Sequence, residues 1–60
     1  MYELNQQTRN FLEVYSRNPI QTILIALKMQ SPKIINELKE YFNVDNLNDL
    51  AEKIHFNMIF

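Results

Sequence analysis

The fold of this chain is decided by residues 19–29, PIQTILIALKM, and by the Ser-Pro pair that follows at residues 31–32. Apolar residues occupy most positions of the first stretch, so a helix built from it is apolar nearly all round. A helix of that kind is buried on more than one side. We therefore expect a central helix over residues 19–29, placed either inside a single chain or in the seam between two copies.

Two prolines indicate where helices begin. Proline fits the first turn of a helix, and the residue before it avoids the α region. Pro19 therefore separates the central helix from an earlier one, and Pro32 opens a third helix after a Ser31 cap. Asn18 followed by Gln21 resembles a capping box for the central helix.

Apolar residues recur with a helical period on both sides of the central helix. The three stripes are Leu4, Thr8, Phe11, Leu12 and Tyr15; Ile34, Ile35, Leu38, Tyr41 and Phe42; and Leu47, Leu50, Ala51, Ile54 and Met58. The charged residues of the third helix, Lys33, Glu37, Lys39 and Glu40, are expected outside its stripe. The sequence predicts an all-α fold, a compact bundle of about four short helices over about 4–17, 19–29, 32–43 and 46–58.

Polar residues predict the end of the third helix and the start of the fourth. Asn43 is expected as a C-terminal cap, because asparagine tolerates the left-handed conformation well. Asp45 or Asn46 then caps the fourth helix. Asp49 falls in its first turn, where the helix dipole favours negative charge.

The composition limits the chain to one small domain, residues 1–60, with no disulfide. A domain of 60 residues has a small interior and buries only part of the surface that its unfolded chain exposes, yet 47% of its residues are hydrophobic. We therefore expect a homodimer or an obligate partner. The formal charge of −1 lacks the basic surplus of most nucleic-acid-binding proteins. The absence of glycine argues against glycine-turn hairpins and excludes glycine-rich phosphate loops.

The location predicted from the sequence is cytoplasmic and not membrane-bound. The longest aliphatic run, residues 23–27, is far shorter than the ~20 residues that span a bilayer. The first residues, Met1 to Leu4, lack the basic then apolar order of a signal peptide.

No residue pattern indicates catalysis, a cofactor or a small-molecule substrate. Glu52 and His55 have the i, i+3 spacing of di-iron helix bundles, with Asp49 one turn earlier, but bridging carboxylates from other helices are not evident. We expect no metal and no enzyme activity. Five aromatic residues could form a stacking platform for single strands, but core packing is favoured for them. They are Tyr2, Phe11, Tyr15, Tyr41 and Phe42.

Residues 37–45, ELKEYFNVD, resemble the first half of a helix-turn-helix, with Asn43 at the turn glycine and Asp45 at the capping serine. Residues 20–54 are similar to winged-helix regulators without the wing. The resemblance implies DNA binding, with phosphate and base contacts from Lys33, Lys39, Asn46, Asn48 and Lys53. Lys39 replaces the small residue of the family's first helix, and Asp49 stands where an inward apolar residue is usual. The carboxylates of Asp45, Asp49 and Glu52 would repel phosphate.

The end of the chain is apolar and has no acidic or basic side chain after Lys53 except His55. It either folds back over the second helix or enters a neighbouring subunit or a partner's groove, and we favour the second alternative. The function predicted is a small regulatory or adaptor protein, of phage, plasmid or bacterial type, that binds and modulates a larger protein as a homodimer. A helix-turn-helix transcriptional regulator is the alternative. The expected protein-interface residues are Phe56, Met58, Ile59, Phe60, Asp45, Asp49 and Glu52.

Overall fold

The computed structural model describes residues 4–57, which form four α-helices. They are α1 (Gln6–Tyr15), α2 (Ile20–Lys28), α3 (Pro32–Phe42) and α4 (Leu47–Asn57). The predicted all-α bundle of four short helices is confirmed, with each predicted boundary within two residues of the observed one wherever the chain is described. Within this part of the chain, no helix has the length and apolar character that crossing a membrane requires.

A single hydrophobic core joins all four helices. α2 packs most extensively against α4, and α1 and α3 complete the bundle around them. The buried core residues are Phe11, Leu12, Ile23, Ala26, Leu27, Leu38, Leu50, Ala51 and Ile54. Thr8 is fully buried beside them, as its place in the predicted α1 stripe requires. The helical period of the sequence therefore identifies the inward faces of α1, α3 and α4.

α2 is buried on one face only within the chain. Ile23, Ala26 and Leu27 lie inside, whereas the side chain of Ile25 is 59% exposed and that of Met29 is 80% exposed. Within residues 4–57 α2 is therefore not enclosed, and the alternative in which the end of the chain covers it falls on residues 58–60, outside the described residues. The other three helices are too few and too short to surround it. The alternative that places α2 in a dimer seam stays a prediction.

The start of α2 differs from the predicted capping box. The helix begins at Ile20, its N-cap is Pro19, and no side chain caps it. The backbone carbonyl of Asn18 instead lies 3.0 Å from Nδ1 of His55, which joins the α1–α2 turn to α4. The prediction that Asn18 caps α2 is wrong, because Pro19 takes the cap position. At α3, Pro32 occupies the first turn as expected, but the Ser31 side chain makes no cap hydrogen bond.

Asparagines cap three further helix ends, those of α1 and α4 at the start and of α3 at the end. Asn43 adopts the left-handed conformation, with φ 59° and ψ 51°, and ends α3 as predicted. Asn46, and not Asp45, caps α4, because its Oδ1 accepts a hydrogen bond from the Asp49 amide at 2.8 Å. Asn5 caps α1 in the same way, through the amide of Gln7. Asparagine thus takes the role at α3 that glycine commonly has in other proteins.

Glu37 lies outside the core stripe of α3, but it is not a solvated residue. It is half-buried, and its carboxylate accepts hydrogen bonds from the hydroxyl of Thr8 and from the backbone amide of Asn5, the latter at 2.9 Å. Glu37 therefore lies outside the stripe as predicted, but its carboxylate is bound by α1. The start of α1 lies against this side of α3 and supplies two donors that the period of α3 alone does not reveal.

Candidate protein-binding surface

An open groove of about 400 Å³ runs along the outer face of α4, and we call it the α4 groove. Its lining residues are Val44, Asp49, Glu52, Lys53, Phe56 and Asn57. All but Val44 belong to the outward side of α4, because the inward side is taken up by the buried Leu50, Ala51 and Ile54. The groove therefore follows directly from how α4 packs on α2.

Phe56 is the main apolar side chain of the α4 groove, and it is 65% exposed. It follows the buried Ile54 by two positions, which rotates it about 200° around the helix and away from the core. Its ring meets the His55 ring edge to face, with 5.0 Å between the centroids. His55 is itself held by the Asn18 carbonyl at 3.0 Å. The fold thus supports an aromatic ring at the surface without burying it.

The carboxylates of the α4 groove lie one turn apart. Asp49 and Glu52 are exposed, and both line the groove together with Lys53. The Asn46 side chain fixes the position of Asp49 through both of its polar atoms: Oδ1 accepts from the Asp49 amide, and Nδ2 donates to Oδ2 of Asp49 at 3.1 Å. Two carboxylates against one ammonium leave the groove with a net negative charge.

The structure brings together only part of the interface predicted from the sequence. Asp49, Glu52 and Phe56 share the α4 groove. Asp45 lies in a neighbouring depression of about 580 Å³, and Val44 lines both. Met58, Ile59 and Phe60 fall outside the described residues.

The residues proposed for DNA contact are dispersed and are mixed with acids. Lys53 lies in the α4 groove, and Lys39 lies in the neighbouring depression with Glu40 and Asp45. Lys33 and Asn48 are exposed on α3 and α4 respectively. Both side-chain polar atoms of Asn46 are engaged by Asp49, so that side chain is occupied by helix capping. These lysines do not share one depression free of acidic residues.

Most of the residues considered for metal binding and for base stacking lie in the described part of the chain. In the part of the chain that the structure describes, no group of three or more histidine, cysteine, aspartate or glutamate residues could hold a metal ion. Phe11 is buried, and its ring packs against that of the half-buried Tyr15. Tyr41 is 44% exposed, so the expectation of core packing is wrong for this residue. Tyr2 lies outside the described residues.

One exposed apolar side chain, that of Val14, has no functional role predicted from the sequence. It is 64% exposed, although α1 packs into the core. Val14 lies one residue before the stripe position Tyr15. Its position outside the apolar stripe of α1 is the only sequence signal that indicates its exposure.

No family model matches this chain, and no curated protein and no solved structure is significantly similar to it. The resemblance of residues 20–54 to helix-turn-helix regulators therefore stays a prediction.

Proposed function

We propose that this chain is a small regulatory or adaptor protein that binds a larger protein through the α4 groove and modulates its activity. The observation that carries the proposal is the position of Phe56, an exposed aromatic ring in the same groove as the carboxylates of Asp49 and Glu52. The partner segment that fits has an apolar side chain flanked by lysine or arginine. The proposal extends to a cytoplasmic protein that acts as a homodimer.

Phe56 supplies the apolar part of the interaction. Burying a phenylalanine side chain contributes about 1.5–3 kcal/mol. Aromatic residues at the centre of an interface often account for most of the binding free energy, because the partner excludes water from around them. The contact between the His55 and Phe56 rings limits the ring's freedom before binding, which lowers the entropy lost on association.

The carboxylates supply orientation and selectivity. Asp49 and Glu52 attract a basic segment over a distance of about 10 Å at 0.1 M salt. Complementary charge mainly accelerates association and excludes partners of the wrong sign. An acidic surface with an apolar centre is also unsuited to the phosphate backbone of DNA. The negative charge of the α4 groove therefore supports a protein partner over the helix-turn-helix alternative.

The experiment that tests this function places a photo-cross-linking phenylalanine analogue at position 56 in the source cell. Captured proteins are identified by mass spectrometry, and the affinity of the purified partner is measured by calorimetry. Phe56→Ser should weaken binding about 30-fold, since truncating a central aromatic costs ~2 kcal/mol. Ile25→Ser, which changes a similarly exposed apolar residue on α2 that lines neither groove, is the matched control.

Two outcomes would contradict the proposal. The first is a partner whose affinity is the same for Phe56→Ser and the unmodified chain. The second is salt-sensitive binding to duplex DNA that is lost in Lys39→Ala and Lys53→Ala, which would favour the helix-turn-helix alternative. Circular dichroism of each variant shows whether a loss of binding is caused by a loss of the helical fold.

A further inference from the structure

A second groove, of about 490 Å³, lies between α1 and the turn that joins α2 to α3, and we call it the α1 groove. Phe11, Tyr15 and Ile34 form its apolar floor. The centroids of the Phe11 and Tyr15 rings are 4.8 Å apart, so the floor is a packed surface. Val14 lines the groove while 64% exposed, which leaves a large apolar side chain uncovered beside this floor.

The rim of the α1 groove is polar but uncharged. It consists of Gln7, Asn10, Gln30 and Ser31, and no acidic or basic side chain lines the groove. Among the described residues, the side chains of Gln7, Gln30 and Ser31 form no hydrogen bond with one another or with the rest of the chain. Asn10 accepts one from Gln6 at 3.0 Å, which leaves its Nδ2 donor available.

The chemistry of this rim suits contact with an identical surface. A symmetric dimer presents the same patch on both subunits, so the groups of the patch must be compatible with one another across the interface. An amide or a hydroxyl carries both a donor and an acceptor and can pair with an identical group, whereas two carboxylates repel. The α1 groove satisfies this condition. The α4 groove does not, because Asp49 and Glu52 outweigh the single Lys53, so a symmetric contact would bring two surfaces of net negative charge together.

We propose that a second copy of this chain docks on the α1 groove and covers Val14, Phe11 and Ile34. This inference names the surface of the homodimer proposed above and rests on that part of the proposal, but it does not rest on partner binding at α4. It moves the dimer contact from the end of the chain to α1. The α4 groove of each copy then remains open, so that one dimer presents two partner-binding grooves.

The test is sedimentation velocity over a concentration series of the full chain and two variants, Val14→Glu and Val14→Lys. The unmodified chain should form dimers. Both variants should weaken dimerisation by about tenfold or more, because a charge of either sign loses hydration in an uncharged interface. Both should keep the helical circular dichroism spectrum, since Val14 is largely exposed. Phe56→Ser is the control that should dimerise like the unmodified chain.

Three outcomes would overturn the inference. They are a monomer at all concentrations, dimers of unchanged affinity in both Val14 variants, and opposite effects of the two charges, which would indicate an interface sensitive only to net charge. A loss of dimers in Phe56→Ser alone would place the contact on α4. Partner binding is measured separately: if Phe56→Ser binds the partner normally, the proposed α4 function fails while the dimer surface stands.

Discussion

The hydroxyl of Thr8 on α1 donates a hydrogen bond to Oε1 of Glu37, which lies 29 positions later on α3. Thr8 is fully buried, and the backbone amide of Asn5 donates to the other carboxylate oxygen at 2.9 Å. One glutamate therefore joins the cap and the first turn of α1 to the middle of α3. The hydrogen bond from Thr8 lowers the pKa of Glu37, and so do the Asn5 amide and the charge of Lys33.

The lowered pKa of Glu37 predicts a specific pH dependence of stability. A carboxyl group whose pKa is lower in the folded chain stabilises the fold above its ordinary pKa of 4.5, and this contribution is lost as the pH falls through the lowered value. Glu37→Gln should therefore reduce the free energy of unfolding at neutral pH. It should also flatten the decline of that free energy between pH 4.5 and the lowered pKa of Glu37. Urea denaturation between pH 2 and 7 measures both effects.

The control for this prediction is Glu13→Gln, which removes an exposed carboxylate of α1 that makes none of these hydrogen bonds. It should leave most of the pH dependence in place. Thr8→Val removes the donor and keeps the shape, so it should raise the Glu37 pKa toward its ordinary value. An unchanged Glu37 pKa in Thr8→Val, measured by NMR titration, would contradict the assigned cause.

A second prediction concerns the core between α2, α3 and α4. Leu38 and Ile54 are fully buried, and shortening either to alanine leaves a cavity that costs about 2–5 kcal/mol. Small domains have little stability to lose, so these variants should be largely unfolded at 25 °C. Ile25→Ala is the matched control, because Ile25 is 59% exposed; its free energy of unfolding should change by less than about 0.5 kcal/mol.

The helices and most of the core follow from local patterns in the sequence. The apolar period of α1, α3 and α4 places Thr8, Leu38 and Ile54 inward, and Pro32 and Asn43 give two of the boundaries. The apolar period does not identify the inward face of α2, because apolar residues occur on all sides of this helix. Only the structure shows that Ile25 faces outward. Local patterns identify helices but do not decide which neighbours each helix meets.

The candidate sites depend on relationships between helices that sequence spacing does not contain. Asp49, Glu52 and Phe56 lie on one helix, so their common groove could be predicted from their spacing. The α1 groove could not, because it combines Val14 with Gln30 and Ile34 across the packing of α1 against the α2–α3 turn. Likewise, Glu37 looks like a solvated residue until the start of α1 is placed against it.

A third prediction separates the apolar and charged parts of the α4 groove. Glu52→Gln keeps the size of the side chain and removes one of the two carboxylates. It should slow association with the proposed partner and reduce the salt dependence of the affinity, while the dissociation rate changes little. Surface plasmon resonance at several salt concentrations measures these rates. A salt dependence identical to that of the unmodified chain would show that Glu52 lies outside the interface.

A fourth prediction contrasts two helix caps. The Asn46 side chain accepts a hydrogen bond from the Asp49 amide at 2.8 Å, whereas the Ser31 side chain makes no such bond. Asn46→Ala should therefore lower the free energy of unfolding by ~1 kcal/mol, and Asn46→Ser should restore most of it. Ser31→Ala should have a much smaller effect. If Asn46→Ala and Ser31→Ala lowered the free energy of unfolding equally, the two caps would not differ in their contribution to stability.

The last prediction concerns the turn between α3 and α4, where Asn43 has a positive φ of 59°. The left-handed region costs an ordinary residue about 1–2 kcal/mol, asparagine less and glycine almost nothing. Asn43→Ala should destabilise the chain by about 1 kcal/mol, and Asn43→Gly should leave it as stable or slightly more so. Thermal and urea unfolding of the pair measure this. Because Val44 follows directly and lines the α4 groove, Asn43→Ala should also weaken partner binding, whereas Asn43→Gly should retain it.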